Sequence, residues 1–352
     1  MDFTGHLREG YRRCVAGVAI LTLSFLTLEL LVRSVRWVSG TVFDYPLLRY
    51  PDLELFEGRP YNRWALRPGV VFRSRDETVH VNSLGYRGPE IERPKPLNRI
   101  RILALGGSTV FGYGMKHDED SWPGALQAIL KSRCADQEVE VINGGVPGYS
   151  TADALTRLAL GATEIQPDFA ILYESLNDSM NNVPEPGKTF RQDYSHRYSS
   201  YAFPIWGHSL LLYVAEVKVS RFFPNRVTAS TFSQEGIDVY RRNVKLFVAI
   251  ARDLAIEPIL ATQAHDFEHR RGAFLNQAPG LTARILQAQE DALREVGAAT
   301  GAIMVDVHAA LKTRDPKELF LDDAHLTQAG NALAAEVIAD AIADRVSSLR
   351  SP

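Results

Sequence analysis

Cysteine is almost missing from this chain of 352 residues: only Cys14 and Cys134 occur, too few for a disulfide framework or a thiolate metal cluster. A basic excess is missing as well. The chain carries 39 Lys and Arg against 42 Asp and Glu, for a formal charge of −3, so no nucleic-acid partner is expected. Low-complexity composition is also absent, since hydrophobic residues make up 45% and charged residues 23%, the proportions of folded proteins. These absences leave a globular enzyme or binding protein, too long for one minimal domain and too short for three ordinary ones.

One segment stands apart. Residues 15–32 (VAGVAILTLSFLTLELLV) form an apolar run broken only by Glu29. As a helix the run rises about 27 Å, close to the thickness of a bilayer core. Glu29 lies four residues before Arg33, where the two side chains share a face and can reach toward the interface. Trp37 stands where an aromatic anchor belongs. Arg33 and Arg36 follow the run without a small-x-small site, which argues against a cleaved signal peptide, and Cys14 is not placed like a lipoprotein cysteine. The expectation is a membrane anchor through residues 15–32, inside an N-terminal segment 1–37. A buried hairpin helix is the alternative. Arginines on both sides of the run balance, so charge alone does not set its orientation.

Residues 38–98 read as a connector and small cap with short β-like pieces, Gly69 to Phe72 and Thr78 to Val81, ending in the linker Arg93-Pro94-Lys95-Pro96. From 99 to 352 strand and helix patterns alternate. Apolar runs at 100–105, 138–142, 168–173, 257–261 and 302–306 are separated or followed by helical patterns near 120–133, 151–164, 234–254, 281–298 and 327–348. Ser121 before Trp122-Pro123 and Thr327 before the last helix are start signals. Continuous apolar strands between helices predict a parallel sheet covered on both faces, a three-layer α/β/α domain. Residues 185–232 interrupt the rhythm with ten aromatic residues; a loop of that length reads as a lid or as a local satellite core.

In such sheets ligands bind beyond the carboxyl ends of the strands. The loops there are Gly106-Gly107-Ser108-Thr109, Asn143 to Ser150, Glu174-Ser175-Leu176-Asn177-Asp178, and Leu321-Asp322-Asp323-Ala324-His325. The first is not a P-loop, because Tyr113 follows Gly112 where lysine belongs. Nor does it fit the dinucleotide pattern or the G-x-S-x-G elbow. Together the loops suit acyl transfer. Ser108 needs a base to become a nucleophile, His325 lies at the same sheet end, and Asp322 three residues earlier can orient its ring. Asp323 is the alternative acid. The N–H groups of Ser108 and Gly148 and the side-chain amide of Asn177 are candidate oxyanion donors, each such donor being worth about 3 kcal/mol in the transition state.

With these residues in place, the sequence resembles the SGNH (GDSL-like) hydrolases, whose four signature blocks fall on Ser108, Gly148, Asn177 and Asp322 to His325. The resemblance covers roughly residues 99–348. It implies a flavodoxin-like sheet of strand order 2-1-3-4-5 and a serine esterase needing no cofactor and no metal. Asn82-Ser83-Leu84-Gly85-Tyr86-Arg87-Gly88 followed by Gly106 to Thr109 is similar to a bacterial, membrane-anchored subset, which implies an extracytoplasmic catalytic domain. Two positions depart from the pattern: Gly107 replaces the aspartate of Gly-Asp-Ser, and Ser175 replaces the glycine of Gly-x-Asn-Asp.

Other residues carry weaker signals. His265 and His269, with Glu268 between them, have helical metal-ligand spacing, yet a polar loop face suits them better. His308 is an alternative base without an acid at triad spacing. Tyr86 and Arg87 either line the site or pack against it. The expected substrate is an ester-bearing small molecule, glycan or lipid. Two rivals to hydrolysis use the same fold, an O-acyltransferase and a non-catalytic envelope binding protein.

Overall fold

The structure is a computed structural model that describes residues 3–39, 55–62, 64–73, 77–183, 190–194, 209, 211–212, 232–267 and 280–349. The chain divides into two units, Met1–Pro46 with Ala202–Asn225, and Leu47–Tyr201 with Arg226–Pro352.

In the larger unit the strands are β1 (Phe56–Gly58), β2 (Trp64–Leu66), β3 (Val71–Arg73), β4 (Thr78–His80), β5 (Arg99–Gly106), β6 (Glu138–Gly145), β7 (Phe169–Tyr173), β8 (Glu257–Ala261) and β9 (Ile303–Val305). The last five make one parallel sheet in the order β6-β5-β7-β8-β9, the 2-1-3-4-5 order anticipated above. Successive side chains of a strand point to opposite faces, so an uninterrupted apolar strand supplies two cores at once. Ile100, Ile102 and Ala104 of β5 pack with helices Trp122–Arg133 and Gln328–Ser348. Leu103 and Leu105 of the same strand pack with helices Thr151–Ile165, Gln234–Asp253 and Leu281–Thr300. The predicted start signals operate: the hydroxyl of Ser121 accepts from the N–H of Gly124 and that of Thr327 from Gly330.

The cap is two antiparallel hairpins, β1 with β2 and β3 with β4. Phe56, Trp64, Leu66 and Val79 from it share a core with Phe111, Val146 and Tyr149 of the strand-end loops. The Arg93–Pro96 stretch is held in place rather than free. Arg93 pairs with Glu164, and Lys95 Nζ lies 2.6 Å from Asp168.

Arg87 joins the segment after the cap hairpins to the segment after the first loop. Its side chain is buried, with Nε 2.7 Å from Asp118 Oδ1, and it donates to the carbonyls of Phe111, Gly112, Met115 and His117. It therefore packs against the segment that follows Ser108. Removing one partner of a buried, hydrogen-bonded pair costs about 3 to 5 kcal/mol, so Arg87→Ala is expected to lower the melting temperature by many degrees. Arg87→Lys should recover only part of the loss, because an ammonium lacks the fork that spans carbonyls and carboxylate together. Thermal melts of the three proteins check this.

In the smaller unit, helix Phe3–Ser39 contains a segment, Glu9–Ser34, long and apolar enough to cross a membrane. Ile20, Leu21, Leu23 and Leu30 on it are exposed. Glu29 pairs with Arg33 at 2.7 Å and also accepts from the Ser209 hydroxyl at 2.7 Å and the Leu211 N–H at 2.9 Å. The Trp37 side chain and the tip of the 185–232 insertion, Phe203 to Trp206, lie outside the described residues. In the larger unit, Tyr194 near the start of that insertion is buried, and its hydroxyl donates to Asp178 at 2.8 Å.

Candidate active site

Strands β5, β6 and β7 end level, with Gly106 paired to both Gly145 and Tyr173. The loops that follow therefore share one edge. Ser108 opens a single helical turn, Ser108–Phe111, directly after β5. Its Oγ lies 2.8 Å from His325 Nε2. His325 comes from the turn before the last helix, closed by a bridge between Phe320 and Leu326. Its Nδ1 lies 2.7 Å from Asp322 Oδ2, while Asp322 Oδ1 accepts the N–H groups of Ala324 and His325, each at 2.8 Å.

One carboxylate thus builds the turn and aims the ring. Burial works against the charge on Asp322, but the His325 side chain and the two N–H donors outweigh it and hold the carboxyl below its ordinary pKa. An ionised carboxylate only accepts, so Nδ1 carries the imidazole proton and Nε2 presents a lone pair to the serine hydroxyl. Of the two adjacent acids, Asp322 meets the ring. Asp323 is buried, and its carbonyl accepts the N–H of Asp266.

The other sequence-predicted residues lie in the loops that follow β6 and β7. Gly148 sits in a turn closed by the Tyr149 N–H on the Val146 carbonyl, at φ +82, a left-handed conformation that favours glycine. The Asn177 side-chain amide donates to the Tyr149 carbonyl at 2.9 Å, which ties the second loop to the third. The arrangement has two of the parts acyl transfer needs, a hydroxyl facing a base and an acid behind the base.

Four contributors escaped the sequence reading. Tyr113 packs its ring 4.6 Å from that of His325, centre to centre. Gln263, beyond β8, accepts from the N–H groups of Ser175 and Leu176 and donates to the Thr109 hydroxyl, bracing the first and third loops. Glu174 accepts the N–H groups of Gly107 and Asn177. Asp178 accepts from the Thr151 N–H, the Thr151 hydroxyl and the Tyr194 hydroxyl. Only the neighbouring Asn-Asp pair and the strand-end position marked the last two, and neither reveals a partner.

Burial, against these hydrogen bonds, pushes Asp178 up to about 6 from an ordinary 3.8, and it raises Glu174 well above its usual range, with the charge of Asp178 adding to the effect. A carboxyl whose folded pKa is raised binds its proton more tightly folded than unfolded, so stability falls as pH rises through the window between the two values. For Asp178 that window runs from about 4 to about 6, with a loss of about 3 kcal/mol. The melting temperature of Asp178→Asn should consequently change less across this window than that of the parent. Parallel profiles would contradict the assignment.

His265 and His308 do meet, with rings stacked at 4.0 Å, beside Glu290, whose Oε1 is 3.5 Å from His265 Nε2 and 3.9 Å from His308 Nε2. His308 Nδ1 accepts the backbone N–H of His265 at 3.3 Å, which places the proton of the neutral ring on Nε2. That atom then presents N–H, not a lone pair, to the carboxylate. Burial, with His265 stacked against the ring, lowers His308 to about 4, so it is neutral near pH 7. His269 and Glu268 lie outside the described residues.

An arylesterase of Vibrio mimicus is 34% identical over 84 residues, which cover 24% of this chain and 40% of that protein. Among solved structures, an α/β hydrolase from the metagenome of Lake Arreo, Spain, aligns with 72% of this chain and 97% of its own at 18% identity and a TM-score of 0.46. A lipase/acylhydrolase from Enterococcus faecalis aligns with 70% and 96% at 19% identity and a TM-score of 0.45. The model of the GDSL-like lipase/acylhydrolase family matches residues 104–333, a span that opens within β5 and takes in all four strand-end loops. On that match the chain belongs to the GDSL-like lipase/acylhydrolase family.

Proposed function

We propose that this protein is a membrane-anchored serine hydrolase of carboxylic esters, acting on O-acyl groups of a glycan or lipid outside the cytoplasm. The observation that carries the reading is the unbroken hydrogen-bond chain from Ser108 Oγ through His325 to Asp322, at 2.8 and 2.7 Å. In the mechanism, His325 Nε2 takes the hydroxyl proton as Ser108 attacks the ester carbonyl. Asp322 stabilises the imidazolium that forms, and His325 then protonates the departing alcohol. The acyl group now sits on Ser108. Water, deprotonated by the same nitrogen, attacks it and releases the acid. At both tetrahedral stages the oxyanion draws on the N–H groups of Ser108 and Gly148 and on the Asn177 amide. Family membership and the arylesterase relative support ester chemistry. The apolar helix supports the anchor.

The test offers the detergent-solubilised full-length chain aryl esters of increasing acyl length, an O-acetylated polysaccharide and an acyl lipid in mixed micelles, and measures the carboxylic acid released. Turnover of one class above the rest is the expected result; no acid from any of them would sink the reading. For the anchor, the chain should stay with the membrane fraction through high-salt and carbonate washes. Release by carbonate would mean that residues 15–32 do not span the bilayer.

A further inference from the structure

We infer that Glu174 is a positioning residue for the proposed reaction, its carboxyl clamping the loops that carry two of the oxyanion donors and filling the space that a side chain at position 107 would need. The inference rests on the reading of Ser108 as nucleophile. Glu174 stands at the end of β7 and is only 2% exposed. Its Oε2 accepts the Gly107 N–H at 2.7 Å and its Oε1 the Asn177 N–H at 2.8 Å. Its own carbonyl accepts the Tyr240 hydroxyl at 3.0 Å, so helix Gln234–Asp253 holds the residue from behind. One side chain thereby fixes the peptide preceding the Ser108 N–H and the residue whose amide is the third donor. Donors of this kind act by being preorganised, so small errors in their aim cost rate rather than binding.

The geometry also accounts for Gly107, the departure noted in the sequence. A Cβ there would lie 2.6 Å from Glu174 Oε2 and 2.4 Å from Asn177 Nδ2, closer than real atoms come. Glycine at 107 and glutamate at 174 therefore form a matched pair. Charge is consistent with the role. Burial first, and the nearby Asp178 second, favour the neutral acid, and a neutral acid does not oppose the negative charge that builds on the substrate oxygen.

The experiment compares the full-length parent with Glu174→Ala, Glu174→Gln, Gly107→Ala and the double variant Gly107→Ala/Glu174→Ala, on a short aryl ester, with near-UV circular dichroism to report folding. Glu174→Ala should lower kcat by about 30- to 300-fold with KM within about threefold, the pattern of a lost transition-state donor. Glu174→Gln keeps one acceptor and should recover kcat to within about tenfold of the parent. The double variant should lose less than the product of the single losses, since Glu174→Ala removes one of the two atoms that a Cβ at 107 would strike, the other being Asn177 Nδ2. A Glu174→Ala protein that folds and keeps kcat within twofold overturns the inference while leaving the Ser108 reading intact. If Glu174→Ala fails to fold, Glu174→Gln decides: a kcat about three- to tenfold below the parent is expected, and a kcat within twofold of the parent or an unfolded protein overturns the inference. A parent without Ser108-dependent turnover overturns both.

Discussion

Replacing Ser108 by alanine is expected to remove at least about 10⁴-fold of kcat on a short-chain aryl ester, and His325→Ala a similar amount. The magnitude follows from the geometry. Without Oγ there is no atom to carry the acyl group, and without Nε2, 2.8 Å away, the hydroxyl keeps its proton and is a poor nucleophile. Because the two act as one unit, the double variant should be no more than about threefold worse than either single one. What activity survives should come from amide donors and substrate binding alone. KM should change little, since neither side chain is needed to hold an ester. Steady-state kinetics of the four proteins check this; losses that multiply would mean independent roles.

The second large effect separates two adjacent acids. Asp322→Asn should cost about 10³- to 10⁴-fold in kcat, because an amide facing Nδ1 favours the wrong imidazole tautomer and leaves the imidazolium unsupported. The substitution should also loosen the turn, whose N–H groups at Ala324 and His325 both bond Oδ1. Asp323→Asn should cost less than about tenfold, the effect of a change beside the site. Since Asp322 is held ionised below its ordinary pKa, its support for His325 should persist into mildly acid solution. Reversed magnitudes for the two asparagine variants would reassign the acid.

How much of this was legible depended on whether a signal was local. The five sheet strands were readable because each carries a short stretch rich in branched apolar residues between helical patterns, and the long helices because they carry periodicity and start signals such as Ser121 and Thr327. Strand β6 runs on to Gly145, beyond the apolar part, because Asn143-Gly144-Gly145 can still pair with β5 although it looks like loop. The turns Ser108–Phe111 and Leu176–Asn181 are too short to show a period. Ser108, His325 and Asp322 could be picked out because strand topology alone sends their loops to one edge. Glu174 and Gln263 could not, since their partners lie in loops distant in sequence. Arg87 was visible as a candidate, but its carbonyl partners were not.

The most direct test of the account is intact mass and peptide mapping after the full-length protein reacts with a fluorophosphonate. One adduct is expected, on Ser108, absent in Ser108→Ala and formed far more slowly in His325→Ala. An adduct on another residue, or undiminished labelling of Ser108→Ala, would contradict it.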